Sequence, residues 1–583
     1  MIKTSKNNNY IYLLAFILLT VLITIPWITM GKIAENGDWL FHAARVEQIY
    51  SNLRHGQFFT FIATDTFHHS GVGSFIFYPT VFFYPWAFLR FFFNPITAFY
   101  LWYGGITLLG LLVSYYSMKA FCNNQNLAFL FAVVYIFNPY RLYLGFWPLG
   151  EFVAASFLPL VFLGFYRVFF ERGKIPGYVT LAIGMSLLLL THLVSVIITI
   201  EIFLVILIVA GFFIGYRKLI LQNGRGIVLS VLLTILLTLP FLYLFCSEYL
   251  GGKVTSTYFG INMNLIKPLS YTIGESLSNT TNGIGLILVV TLFIGWYFCR
   301  NSKRQAFIYG MGIFLLLLSS SIFPWYVFKN TALGVIQMPY RYLEFSCLFL
   351  SVIAADILYR FFCHAFYPRQ LSRVSLVVVT IAGMLGLYMA AMQGAFTLVR
   401  NAPTALQKTV SPGKALPDFT ILNPVNYDRQ FAYSAPQGET DYYPKATVNS
   451  GMQNTIINQT TYVGRKTRPA SPAGFPNRVV YQYNLGKRVS IDLPFIAYRK
   501  TYLKVNGRTT NYRISNRGTV IIPKTRLHLG TNRVQVGYDP GWLFYVTLLV
   551  TGVSWLGSVY FILIRQRRSN IGVKTDDGKN FKF

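Results

Sequence analysis

The sequence predicts a polytopic α-helical membrane protein of about 12 transmembrane helices. It adds a re-entrant or interfacial helix near the start and a β-rich extracytoplasmic domain before the last span. Three observations predict this class. Hydrophobic residues make up 54% of the chain and charged residues 12%, and mean hydropathy is +0.48, outside the range of soluble domains. Apolar runs of roughly 20 residues, the length that crosses a bilayer core, recur along the chain. In the polar stretch 397–540 such runs stop and apolar and polar residues alternate instead. The five cysteines all lie in or beside apolar runs, which argues against a disulfide scaffold.

Taken in order, the first run is Tyr10 to Met30, preceded by Lys3 and Lys6. It is longer than a signal-peptide core, and Gly31, Lys32, Ile33 and Ala34 offer no small-x-small cleavage site, so it reads as a retained span. Further spans are expected near 96–121, 127–145, 152–170, 177–191, 193–215, 226–247, 282–299, 305–323, 341–362, 373–396 and 541–564. A run at 75–93 would make thirteen. The basic turns at Arg172/Lys174, Arg217/Lys218/Arg225, Arg300/Lys303/Arg304 and Arg369/Arg373 would then fall outside, against the positive-inside rule. Read as re-entrant or interfacial, which its Pro79, Pro85 and Arg90 favour, the run restores every assignment. Both termini are then cytoplasmic, with Arg565, Arg567 and Arg568 closing the last span. The division is a transmembrane catalytic domain at 1–396 with a first outer loop at 31–95, an outer domain at 397–540, and a final helix and tail at 541–583.

Within the outer domain, Pro403, Pro412, Pro417, Pro424 and Pro436 predict extended loop in the first half. The alternation from Arg478 and from Val489, an Asn506-Gly507 hairpin turn and Thr519-Val-Ile-Ile predict strands in the second. The domain carries 20 Lys or Arg against 6 Asp or Glu. On an outer surface that charge suits an anionic envelope polymer, or equally membrane lipids or solubility, and nucleic acid is not expected there.

Candidate chemistry clusters on the outer side. Asp38, His42 and Arg45 stand at i, i+4 and i+7, so one helix face would carry all three, either as a proton-transfer site or as the polar stripe of an interfacial helix. Asp65, His68 and His69 follow, a possible divalent-metal set or ordinary loop residues. Glu151 and His192 mark outer turns, and Gln337-Met-Pro-Tyr-Arg341, with Glu344 one turn on, enters a span. Arg341 either pairs with Glu344 within its helix or grips a phosphate. Glu201, in mid-span, is either a packing carboxyl or a proton-relay site.

These motifs in order resemble those of the YfhO-like bacterial membrane proteins and of the proteins called 6-pyruvoyl-tetrahydropterin synthase-related, a label that carries no pterin chemistry. The matching stretches are Gly37-Asp38 to His42-x-x-Arg45, Gly71-x-Gly73 then Phe77-Tyr-Pro79, Pro148-Leu-Gly-Glu151 to Pro159, and Thr191-His192. The Gln337-x-Pro-x-Arg341 entry and the Leu493-Pro, Asn506-Gly507, Asn532 and Val536-x-Tyr538 series before the last span complete the set. The resemblance covers nearly the whole chain and implies a GT-C-like glycosyltransferase acting on the outer membrane face.

It implies Asp38 as the catalytic base, a polyprenyl-phosphate-linked sugar as donor, and no metal or other cofactor. Arg341, with Arg45 second, is then expected at the donor phosphate. His42, Glu151, His192, Gln337 and Glu344 are expected to orient groups or bind the acceptor, for which a polymer such as teichoic acid in a Gram-positive envelope is the expectation. Two other classes stay open: a transporter or flippase of lipid-linked sugars, for which Glu201 would matter, and a non-enzymatic envelope assembly protein built around the basic outer domain.

Overall fold

In the computed structural model, residues 10–171, 177–213, 215–251, 254–255, 260–365, 372–401, 406, 413–435 and 437–570 are described. Lys3, Lys6, Arg172, Lys174, Arg369, Pro403, Pro412 and Pro436, and the side chains of Arg565, Arg567 and Arg568, lie outside them. Among the described residues, seven helices are long and apolar enough to cross a membrane: Tyr10–Met30, Pro95–Cys122, Leu193–Phe212, Ile220–Tyr249, Pro339–Ala365, Arg373–Asn401 and Trp542–Ile564. In the first, Tyr12, Phe16, Leu19, Ile23 and Trp27 recur every three or four residues and are buried, while Leu14, Ile17, Leu18, Val21 and Ile25 are exposed. That stripe packs one face on the bundle and leaves the other to lipid.

The other five predicted spans are shorter helices: Gln125–Ile136, Leu158–Phe170, Gly177–Leu189, Leu286–Cys299 and Lys303–Leu318. At 12 to 16 residues each they rise only about 18–24 Å, less than the ~30 Å core. Two runs read as single spans are each divided in two. Asn138 stops the first helix and caps the next, Pro139–Leu144, by accepting the N–H of Tyr140 at 2.9 Å. The run read as 152–170 is Gly150–Ala155 followed by Leu158–Phe170, where Pro159 cannot continue the preceding hydrogen-bond ladder.

The run 75–93 does not span. It forms the short pieces Ser74–Phe77, Val81–Phe83 and Tyr84–Leu89, the last against Pro95–Cys122. Phe88 near its end and Phe91, Phe92 and Phe93 beyond it are exposed, an aromatic patch suited to a membrane surface.

The second half of the region 397–540 forms two five-stranded antiparallel sheets. One runs Arg513–Ile514, Thr519–Ile522, Ile491–Ile496, Thr460–Val463, Lys466–Pro469. The other runs Ala473–Phe475, Arg478–Leu485, Gly530–Tyr538, Thr501–Val505, Arg508–Thr509. Val479, Leu503, Val534, Val536, Leu493, Phe495 and Val520 share one core, and Thr461 Oγ1 meets Tyr483 Oη at 3.0 Å between the sheets. The Asn506-Gly507 turn is present, with φ of +51° and +83°, which matches the twist of the strands it joins.

The first half is not the plain loop its prolines predict. It supplies Ile421–Leu422, which pairs with Ile33–Ala34 after the first span, and the short helices Tyr427–Ala432, Lys445–Asn449 and Gln453–Ile457. Tertiary pairing with the loop after the first span supplies the partners that local sequence lacks.

The sheets are fastened to the helical bundle. The carboxylate of Glu248, near the end of Ile220–Tyr249, accepts the N–H groups of Arg499 and Lys500 at 2.8 and 3.3 Å and the Tyr538 hydroxyl at 2.9 Å. Asn477 bonds Phe61 N and Phe59 O, Ile496 N bonds Ser70 O, and Tyr498 Oη accepts from Gly73 N, all at 2.7–2.9 Å.

Candidate active site

Asp38 occupies the N-cap position of Trp39–Arg54, yet its side chain makes no capping bond, because its backbone (φ −87°, ψ 9°) lies outside the extended range that aims a cap at the first N–H groups. The half-buried carboxylate makes no hydrogen bond among the described residues. Burial pushes it up to about 6, Glu151 and Asp441 add to the rise, and Arg341 opposes it. That is a carboxylate poised to take a proton near neutral pH.

His42 lies one turn into the helix, and burial together with Arg45 pushes it well below the usual imidazole range. Arg45 Nη1 donates to its Nδ1 at 3.2 Å, so the neutral ring carries its proton on Nε2. Arg45 itself is 1% exposed, donates from Nη2 to Tyr78 O and Pro79 O at 2.9 Å each, and sits within 5.2–5.9 Å of the rings of Phe41, Phe75, Tyr78 and Phe83. This arrangement props the Tyr78-Pro79 turn. The guanidinium expected second at a donor phosphate is engaged here with backbone carbonyls and aromatic rings.

Arg341 pairs with Glu151, 190 residues away, and not with Glu344 as the local spacing allowed. Its Nε donates to Glu151 Oε1 at 2.7 Å. Nη1 donates to Ile336 O at 2.7 Å and Gln337 Oε1 at 3.1 Å, and Gln337 takes a left-handed backbone (φ +62°) to present that oxygen. Nη2 makes no hydrogen bond among the described residues. Glu344 is buried, 5% exposed, within the next helix turn.

His192 stands behind Glu151, with Nε2 3.5 Å from Oε1. Burial pushes it down to about 4, so it is neutral at pH 7, although Glu151 pulls the other way. Its Nδ1 caps the helix Leu193–Ile208 by accepting from Ser195 N at 3.2 Å and meeting Ser195 Oγ at 2.8 Å. Gly150 allows this approach, since a Cβ there would meet the His192 ring at 3.0 Å.

The possible metal set does not assemble. Asp65 accepts from Ser51 Oγ at 2.5 Å, His69 Nδ1 bonds Thr64 O at 2.5 Å, and His68 faces Glu439 at 3.3 Å. No group of three His, Cys, Asp or Glu suited to a metal occurs among the described residues.

One carboxylate escaped the sequence reading. Asp441, half-buried on the strap that leads into the sheets, accepts from Tyr78 Oη at 2.7 Å and is near enough to Asp38 to act on its charge. Gly438, three residues earlier, packs so tightly on Phe41 that a Cβ would come within 2.7 Å of the ring. The Phe77-Tyr-Pro79 motif marks one partner of this contact, and nothing local marks the other.

No protein-family model and no curated protein matches the chain. Two crystal structures of ArnT from Cupriavidus metallidurans are similar to it, one bound to undecaprenyl phosphate and one in the apo state. Identities are 13% and 12%, each alignment covers 73% of this chain and 86% of the other, and the TM-score is 0.45 in both.

Proposed function

We propose that this chain is a membrane glycosyltransferase that moves a sugar from a polyprenyl-phosphate donor to an envelope polymer on the outer membrane face, with both termini cytoplasmic. The motif resemblance to the YfhO-like proteins, which implies a GT-C-like enzyme, supports the class. The observation that carries it is the pairing of an unbonded Asp38 carboxylate near pH 6 with a guanidinium, Arg341, that keeps an arm free.

In this reading Asp38 accepts the proton of an acceptor hydroxyl as its oxygen attacks C1 of the sugar. The C1–O bond to the phosphate breaks, the electron pair leaves with the polyprenyl phosphate, and the anomeric centre inverts. Arg341 Nη2 meets the developing phosphate charge. Glu151 holds Arg341 in place and His192 holds Glu151, so both are positioning residues. Asp441 and His42 are proposed to orient the acceptor, supported by the effect of Asp441 on the Asp38 charge.

The acceptor is proposed to be an anionic polymer of the teichoic acid kind. Between Thr460 and Tyr538 there are 15 Lys or Arg and a single acid, Asp492, already bound by Arg517. The catalytic unit would then be residues 1–396 and the polymer-facing unit 397–540, before the final segment 541–583. Against a transporter, Glu201 accepts a hydrogen bond from Tyr342 Oη at 2.8 Å, which accounts for it as a packing group.

The test is transfer of radiolabelled sugar from a panel of undecaprenyl-phosphate sugars to envelope polymers, in membranes with wild-type protein or Asp38→Asn at matched expression. The expected loss is about 10²–10⁴-fold. Full activity in Asp38→Asn would remove it as the base, and no transfer by wild type beside a working control enzyme would remove the class.

A further inference from the structure

At the end of the bundle away from Asp38, the helices Pro95–Cys122, Leu158–Phe170, Leu193–Phe212, Lys303–Leu318 and Pro339–Ala365 line a half-open cavity of about 220 Å³. Phe121, Phe162, Phe165, Ile206, Leu348 and Val352 give it an apolar wall. Its place follows from helix geometry. Leu348 is seven residues past Arg341 on one helix, and Ile206 fourteen past His192 on another, which sets them about 10 Å and about 21 Å from the candidate active site.

Among the described residues, two charged residues line the cavity, Lys303 and Arg304, and both are cations exposed at this far end. Neither forms a hydrogen bond or ion pair among the described residues. The neighbouring carboxylates are taken, Glu171 by Arg167 at 3.6 Å and Asp356 by Arg360 at 2.8 Å. The Arg304 guanidinium lies 3.9 Å from the centre of the Phe121 ring and 5.1 Å from that of Tyr166. Stacking fixes its plane while leaving its N–H edge for an anion. Both cations also open the first turn of Lys303–Leu318, capped by Ser302, where the helix dipole adds positive potential.

An apolar wall with an unneutralised cation pair at one end matches an amphiphile whose head is an anion. We propose that this cavity binds an anionic glycerophospholipid of the leaflet opposite the active site, one acyl chain inside and the phosphodiester on Lys303 and Arg304. The donor is a different occupant, since its phosphate would sit at Arg341, and the inference stands apart from the proposed reaction.

The test is native mass spectrometry of the purified full chain in mild detergent, titrated with an equimolar mixture of phosphatidylglycerol and phosphatidylcholine of the same acyl chains. The wild type is expected to take its first phosphatidylglycerol at least about fivefold in preference. A Lys303→Gln/Arg304→Gln variant should bring the ratio near one. Arg300→Gln, a cation at the same end that does not line the cavity, should leave it unchanged. Filling the cavity by Ala210→Phe, or by Ser117→Leu should the first variant not stay monodisperse, should remove the first bound lipid of either kind. Four outcomes overturn the proposal: no wild-type preference, an equal loss in Arg300→Gln, retention in a well-folded filled variant, or displacement of phosphatidylglycerol by undecaprenyl phosphate regardless of Lys303 and Arg304. The last would assign the cavity to the donor's tail.

Discussion

Arg341 and Arg517 are both arginines withdrawn from water and set against a carboxylate, and they are used in opposite ways. Arg517 is 0% exposed and commits all five N–H groups. Two make a forked contact with Asp492 at 3.1 Å, and the others reach Asp492 O, Thr455 Oγ1 and Thr460 O at 2.9–3.1 Å. Arg341 commits Nε and Nη1 and leaves Nη2 uncommitted. Withdrawing a guanidinium from water is costly, and five satisfied donors repay that cost within the fold. An arm left over is repaid only by something that arrives. The one is a strut between the strands, and the other fits the phosphate-binding role proposed above.

The largest effect that separates them is on stability. Arg517→Met strands Asp492 and should cost the sheets about 3–5 kcal/mol, read as a lowered unfolding midpoint of the whole chain. An unchanged midpoint would mean the network is incidental. Arg341→Lys keeps the charge and the reach to Glu151 but loses the fork, so transfer should fall about 10–100-fold with the midpoint nearly unmoved. Unfolding comparable to Arg517→Met would break the distinction.

The pH dependence sharpens it further. Asp38 is raised to about 6, so its base form exists above that value, and the transfer rate should fall about tenfold for each unit below pH 6. For stability the sign is reversed. A carboxyl raised in the folded state is favoured there while protonated, and that contribution is lost as pH rises through 4 to 6. Asp38→Asn should therefore be no less stable than wild type at pH 7.5. A lower midpoint would recast Asp38 as a structural residue. The smallest effect is Gly507→Ala, where φ of +83° costs an alanine about 1 kcal/mol while leaving transfer intact.

Spans and strands were legible because their signals are periodic and local. The stripe from Tyr12 to Trp27, the alternation after Arg478 and the Asn506-Gly507 turn each carry their own instruction. The parity of basic turns, which removed 75–93 from the spans, is equally a property of the chain read end to end. The breaks at Asn138 and Pro159 were written in the sequence but lost inside long apolar runs.

The site was legible only by its members. Arg341 and Glu344 lie one helical turn apart, so the eye pairs them, yet Glu151 arrives from another helix and takes the contact. Arg45 shares a helix with Asp38, yet its guanidinium turns into aromatic rings. Asp441 lies in a proline-rich stretch whose structure is imposed by what it docks on, so no pattern around it points to Tyr78.

Glu248 receives three donors from the sheets, and the chain beyond Tyr538 runs straight into the Trp542–Ile564 helix. Two helices of the bundle therefore hold the two-sheet domain, one by chain continuity and one by a carboxylate clasp. A domain tied in that way is a wall rather than a hinged lid. For the reaction proposed above, that wall would set a fixed border near Asp38, where Asp441 of the same region stands close enough to act on its charge.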